Sequence, residues 1–432
     1  MHLAHRTYVL LALTATLAIA AIWSSEPAMQ GWWRWPALLL TAGIALESAS
    51  SRRRRWRIEL VAPPRALLGR PQPVSLVLRN ESARPLTIEY LAPLPPGLEG
   101  PTAVRRLSAA AGSVARDTLR CTPVRLGAQP WPVARARALG RWGLVWWSRE
   151  QAIDGALVVA PDVSGSPEML PRGLPAGRRP FRTAGGGSEL HQLRAYVRGD
   201  PLAHIDWKAT ARTRRLVSRE LSQDQHLDVL IAIDAGRSSR IRAGRLDRLG
   251  LYANIAARFA ESATRNDDRV GLVVFCDRPL ALCALARGRR AVIGVRQALE
   301  RLAPRRAESD PLGAALMARA LLRHRSLIVL LTDLEDPTAA DALGQAVRVL
   351  SPPHLTVVAG VASAEVAAAA APGSPAGADP WVALAAREQR ARTARHCALL
   401  RRLGAPTLTA PHEELAERVL AEYEGLRRAR RI

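Results

Sequence analysis

Apolar and polar positions divide the 432-residue chain into three stretches with different periods. From Tyr8 to Trp23 the sequence YVLLALTATLAIAAIW carries no charge. As a helix it measures about 24 Å at 1.5 Å per residue, close to the roughly 30 Å of a bilayer's hydrocarbon core. After Ser24-Ser25-Glu26-Pro27 a shorter apolar run covers 35–46. Trp32, Trp33 and Trp35 beside it suit a membrane interface, where Arg34 can snorkel. The two runs predict an N-terminal transmembrane helical hairpin over 8–48.

From residue 58 to 162 the period changes to two, in short stretches punctuated by proline and glycine. Val74-Ser75-Leu76-Val77-Leu78, Leu86-Thr87-Ile88-Glu89-Tyr90 and Leu119-Arg120-Cys121-Thr122-Pro123-Val124 read as strands of a β-sandwich. Asn80-Glu81-Ser82-Ala83-Arg84-Pro85 supplies the turn between two of them. Trp142, Trp146 and Trp147 are expected in packing roles. Residues 163–187, rich in Pro, Gly and Arg, read as a linker that ends in the glycine hinge Gly185-Gly186-Gly187.

The third pattern, over 188–432, alternates apolar strands with helices. Strands are expected over 227–234, 269–276, 326–332 and 354–361, and helices over 245–265, 289–302, 311–323 and 337–350. Continuous apolar runs such as Leu230-Ile231-Ala232-Ile233 fit strands buried on both faces of a parallel sheet. The fold class is therefore α/β, a doubly wound parallel sheet, joined to a β-sandwich and a helical membrane anchor.

The formal charge of +24 changes this picture little. Lys208 is the single lysine among 62 basic residues, and the arginines are scattered rather than gathered on one helix, which argues against nucleic acid as a partner. The cluster Arg52-Arg53-Arg54-Arg55-Trp56-Arg57 lies just after the second apolar run. By the positive-inside rule it puts the bulk of the chain in the cytoplasm, under a two-pass anchor in the inner membrane lipid. A cleaved signal peptide ending near Trp23 is the competing reading, and it would turn the protein into an envelope-exposed adhesin. Cys121, Cys276, Cys283 and Cys397 are widely spaced and imply neither a zinc site nor a disulfide framework.

Two acids, Asp234 and Asp333, end the first and third expected strands, where an open parallel sheet receives ligands. Here the chain resembles the von Willebrand factor A fold, whose metal site uses Asp-x-Ser-x-Ser, a later threonine and a later aspartate, oxygen donors suited to Mg²⁺. This chain reads Asp234-Ala235-Gly236-Arg237-Ser238, so one hydroxyl is missing. The candidate ligands of a degenerate site are Asp234, Ser238, Ser309, Asp310 and Asp333, and Arg237 is a candidate to stand in for the cation.

The stretch Gly187-Ser188-Glu189-Leu190-His191-Gln192-Leu193-Arg194-Ala195-Tyr196-Val197-Arg198-Gly199-Asp200-Pro201, continued to Ile205-Asp206-Trp207-Lys208-Ala209-Thr210-Ala211-Arg212, closely resembles the signature of the domain of unknown function 58 family. Within it Glu189, Arg194, Tyr196, Gly199, Asp200, Asp206, Trp207, Lys208 and Arg212 are expected to form a structural or partner-binding cluster. Lys208 is expected to be partly buried against an acid. The resemblance implies an adaptor rather than an enzyme, with a MoxR-type AAA ATPase as partner and envelope or metal-containing complexes as clients. A hydrolase using His191 and His204 is the third reading; no nucleophile elbow, HExxH or Walker loop accompanies those histidines. The alanine-rich insert at 362–378 fits no known pattern.

Overall fold

The computed structural model describes residues 2–23, 31–52, 55–153, 155–163, 183–223, 226–303, 305–371 and 379–428. Two compact units separate, one of residues 1–162 with 299–303, the other of 163–298 with 304–432.

The first unit opens with β1 (His2–Leu3), α1 (His5–Trp23) and α2 (Arg34–Arg52). By length and composition α1 is apolar enough to cross a membrane. The strands that follow are β2 (Trp56–Val61), β3 (Ala66–Leu67), β4 (Gln72–Asn80), β5 (Leu86–Leu91), β6 (Leu98–Glu99), β7 (Arg105–Ala109), β8 (Val114–Pro123), β9 (Gly127–Pro130), β10 (Ala134–Leu139), β11 (Val145–Gln151) and β12 (Ala156–Ala160). They form sheets of order β1-β11-β10-β5-β7, β2-β4-β8-β6 and β3-β12-β9. The expected alternation is realised: Leu86, Ile88 and Tyr90 on β5 and Ala134, Ala136 and Ala138 on β10 point inward, while their sequence neighbours are partly or fully exposed. Tyr90 donates its hydroxyl to Asp117 (2.5 Å), which also receives Arg105 (2.7 Å), so the polar tip of a buried ring is satisfied.

The second unit begins with β13 (Thr183–Ala195), α3 (Trp207–Thr213) and β14 (Val217–Gln223); the two strands pair antiparallel. The glycines at 185–187, expected as a hinge, lie inside β13. They occupy a bulge between Ala184 and Glu189, which both oppose Ser222.

Next come β15 (Asp228–Asp234), β16 (Arg242–Ala243), β17 (Leu246–Asp247), α4 (Arg248–Arg265), β18 (Arg269–Phe275), β19 (Pro279–Ala286), α5 (Gly288–Glu300) and α6 (Pro311–Leu321). The chain continues through β20 (Leu327–Leu331), α7 (Ala340–Leu350), β21 (Leu355–Val361), α8 (Ala364–Ala370), α9 (Pro380–Arg402), β22 (Thr407–Ala410) and α10 (Leu415–Arg428).

Six of these strands form one sheet of order β19-β18-β15-β20-β21-β22, parallel except for β19. Every residue of β15 and of β20 is buried, as their unbroken apolar runs require. Leu230, Ala232, Ile328 and Leu330 pack with α6, α7 and α9, while α4 touches β15 and β18 and meets α10 at Phe259 and Tyr423, 4.7 Å between ring centres.

β19 and α9 have no counterpart among the expected elements. β19 is a partly exposed edge strand without β-branched residues, so its period-two signal is weak. α9 reads as an arginine- and alanine-rich polar segment with three buried side chains, Ala386, Cys397 and Leu400.

Candidate functional site at the strand ends

From β15 the chain crosses to β18 on one side, while β20 lies on the other, so the sheet changes winding direction between β15 and β20. Ile233 pairs with Leu331 in register. Asp234 therefore ends its strand beside Thr332 and Asp333.

The Asp234 carboxylate, 2% exposed, accepts the Gly236 amide (2.8 Å) and the hydroxyls of Ser309 (2.7 Å) and Thr332 (2.8 Å). Burial pushes its carboxyl above the usual range, and those three donors oppose the shift. Backbone bonds tie the same loops together: the Arg237 amide donates to the Ala307 carbonyl (2.8 Å) and the Arg305 amide to that of Ala235 (3.1 Å). Asp234 thus fastens three loops.

Asp333 is served differently. Arg248, the first residue of α4 and 3% exposed, ion-pairs with Asp333 and donates to Glu335 (2.8 Å). The Asp333 carboxylate also accepts the Glu335 amide (2.9 Å), and Glu335 accepts the Ser363 amide (2.9 Å). Burial raises the Asp333 carboxyl, with Arg248 acting against it. One turn later Tyr252 donates to the Thr332 carbonyl (2.9 Å), and burial pushes its hydroxyl well above the ordinary tyrosine value.

On the outer side, Arg237 bridges Glu308 (3.3 Å) and Asp336 (3.5 Å). Burial draws the Asp336 carboxyl upward, but the amide and hydroxyl of Thr338 and the charge of Arg237 outweigh it and leave Asp336 below the usual range.

The five candidate metal ligands have different partners in the fold. Asp234 and Ser309 are bonded to one another, Asp333 faces Arg248, and Asp310 caps α6 through the Gly313 amide (2.9 Å). Ser238 is buried in a short 3₁₀ turn, Arg237–Arg240. At the position where the metal motif has its first serine, a Cβ on Gly236 would stand 3.0 Å from Asp234 Oδ1 and 3.2 Å from the Ala307 carbonyl. A serine therefore does not fit without movement of the loop. Among the described residues no group of three His, Cys, Asp or Glu is placed to hold a metal ion. The carboxylates of Asp234, Asp310 and Asp333 that Mg²⁺ would need are engaged by internal donors, so the residues do not fit that ion. The guanidinium nearest the second acid is that of Arg248, not Arg237 as the loop sequence suggests.

Around the signature, Arg194 grips Asp200 through two bonds of 2.8 Å, and the Val197 amide adds a third (3.0 Å). Arg194 and that amide hold the partly buried Asp200 carboxyl below its usual range. Gly199 closes this turn at φ +115°, a conformation that disfavours any side chain. Tyr196 donates its hydroxyl to the Asp200 carbonyl (3.4 Å). Asp206 caps α3 through the Ala209 amide (2.9 Å) and faces Arg219 (3.7 Å).

Trp207, Lys208 and Arg212 are exposed, because the two-turn α3 buries none of its side chains. Lys208 is accordingly at the surface, against the expected partial burial. His204 lies in a 3₁₀ turn (Leu202–His204), while Glu189 and His191 are described by their β13 backbone alone.

Arg248, Tyr252, Thr332 and Glu335 were not among the expected site residues. A signal existed for the first: in α4, residues 248, 249, 252, 253, 256 and 260 form one buried stripe, and an arginine on an apolar stripe demands a buried acid.

The fold is thus a mixed α/β one with a largely parallel six-stranded sheet and polar locks at the strand ends. Residues 192–368 match the model of the family described as "Protein of unknown function DUF58", and over this segment the chain is similar to that family. Similar solved structures include BatB from Bacteroides thetaiotaomicron, 17% identical over 47% of this chain and 99% of that one at a TM-score of 0.32. The proximal thread matrix protein 1 of the mussel byssus is 15% identical over 46% of this chain and 44% of its own, at 0.30. Among curated proteins none matches the chain.

Proposed function

We propose that this is a membrane-anchored adaptor whose second unit, a doubly wound domain of von Willebrand factor A type, presents its strand-end rim to a protein partner. The first unit is read as a β-sandwich spacer on a two-helix anchor, with the bulk of the chain in the cytoplasm. A MoxR-type AAA ATPase is the partner that family resemblance suggests, acting on envelope or metal-containing complexes.

One observation carries the reading: both strand-end acids are satisfied from within, by hydroxyl donors at Asp234 and by the charge of Arg248 at Asp333. A rim built this way needs no cation to stay ordered, and it exposes the charges of Arg237 and Glu308, with the polar Thr338 at the surface too, rather than a reaction centre. Charges of this kind select partners more than they add affinity.

The test is capture of the detergent-solubilised full chain from its native cell lysate with ATP and magnesium. A MoxR-type ATPase should co-purify, and Arg237→Glu should abolish its capture while circular dichroism stays unchanged. Equal capture by the variant, or no AAA ATPase with the unaltered chain, defeats the proposal.

A further inference from the structure

Glu47, near the end of α2, is 0% exposed. Its carboxylate accepts the amides of Trp142 (2.6 Å), Gly143 (3.1 Å) and Leu144 (2.9 Å), which form the turn between β10 and β11. A carboxylate so deeply buried is costly unless donors surround it, and three amides aimed at one carboxylate make an anion nest. Gly140 permits the approach, since a Cβ there would stand 2.1 Å from the carboxylate.

The turn is held from α1 as well. The Ala4 amide donates to the Leu144 carbonyl (2.8 Å), and the Thr7 hydroxyl bonds the same carbonyl. Leu144 and Val145 pack with Leu40 and Ile44 of α2. Turn and helices are therefore one joint.

Helix length then sets the depth of that joint in a bilayer. Trp35 precedes Glu47 by twelve residues, about 18 Å, and Trp23 follows Thr7 by sixteen, about 24 Å. Both fall short of a hydrocarbon core of about 30 Å. With the exposed Trp23, Trp32 and Trp35 at the far interface, so short a span draws the clasped turn against the near one, the bilayer thinning locally to meet it. Its composition suits that position. Trp142 is 46% exposed at the tip, Arg141 beside it is exposed, and the Arg6 side chain lies over Gly143.

We propose that the turn 140–144 is a lipid-binding element: Trp142 enters the headgroup boundary, Arg6 and Arg141 meet the phosphates of anionic lipids, and Glu47 holds the turn at that depth. The proposal rests on the membrane anchoring proposed above, and a second probe position separates the two.

Full-length chain carrying Cys283→Ser, the other three cysteines being buried, is reconstituted in phosphatidylcholine–phosphatidylglycerol vesicles. A spin label is placed singly at Trp142→Cys, Leu39→Cys or Ser108→Cys. Collision with oxygen and with a water-soluble nickel chelate should report hydrocarbon at 39, water at 108 and an intermediate, nickel-protected depth at 142. Glu47→Gln and Gly140→Ala should each shift the label at 142 toward the aqueous value and leave that at 39 unchanged. A label at 142 as accessible to nickel as that at 108, with 39 in lipid, overturns the lipid-binding turn alone. Water at 39 overturns the anchor and this proposal together. An unmoved label at 142 in both the Glu47 and Gly140 variants overturns the role given to the clasp.

Discussion

Arg248→Met isolates the lock beneath the rim. Methionine retains the volume and the apolar contacts of the stem along the buried stripe of α4, but it leaves Asp333, 5% exposed, without its guanidinium. Removing one partner of a buried ion pair costs about 3–5 kcal/mol, because the remaining charge stays out of water. At 1.36 kcal/mol per tenfold, local opening should become about 10²- to 5 × 10³-fold more frequent.

Hydrogen–deuterium exchange of peptides from β15 and β20, on the full chain in detergent, reads this opening directly. The pH dependence has a definite sign. An acid whose folded pKa is raised binds more protons folded than unfolded, so its contribution to stability falls as pH rises. Burial already raises Asp333 and Arg248 opposes that rise, so the variant's shift should be the larger one. The gap between variant and parent should therefore be small near the unfolded carboxylate pKa of about 4 and widen toward neutrality. Arg248→Met with Asp333→Leu should recover most of the loss, since neither charge is then buried. Acceleration below about tenfold at neutral pH, where the cost would be under about 1.4 kcal/mol, would refute the reasoning.

Further outcomes are expected. Ser309→Ala removes one of three donors to Asp234 and should cost about 1–3 kcal/mol in the exchange of β15, with the Asp234 carboxyl driven higher still. Gly236→Ser restores the missing hydroxyl of the metal motif, yet crowding against Asp234 and Ala307 should destabilise the loop by about 1–3 kcal/mol, and titration calorimetry should find no magnesium binding. Magnesium should likewise leave the exchange of β15 and β20 in the unaltered chain unchanged. A C-terminal fluorescent fusion should be bright in the cytoplasm and a C-terminal alkaline phosphatase fusion inactive; the reverse would remove the cytoplasmic orientation.

Much of the second unit was legible because its strands are buried on both faces and so read as apolar runs: Leu230 to Ile233 and Leu327 to Leu331 announce themselves. The edge strand at Pro279–Ala286 was not, because its side chains are only partly buried and its alternation is faint. In the signature, acids and bases were visible as a mixture, but the pairing of Arg194 with Asp200 depends on the turn through Gly199. Lys208 illustrates the limit: a rare residue in a distinctive motif suggests burial, while exposure is decided by whether the short α3 has anything to pack against.

Local pattern by itself determined the apolar first helix, the period-two region, the alternating α/β region and the two aspartates at strand ends, since each is written in spacing along the chain. Tertiary structure alone decided what those aspartates do. Arg248 lies 85 residues before Asp333, and Glu47 lies 95 before Trp142. A buried charge is satisfied by whichever donor the folded backbone carries to it, and no spacing in the sequence encodes that distance.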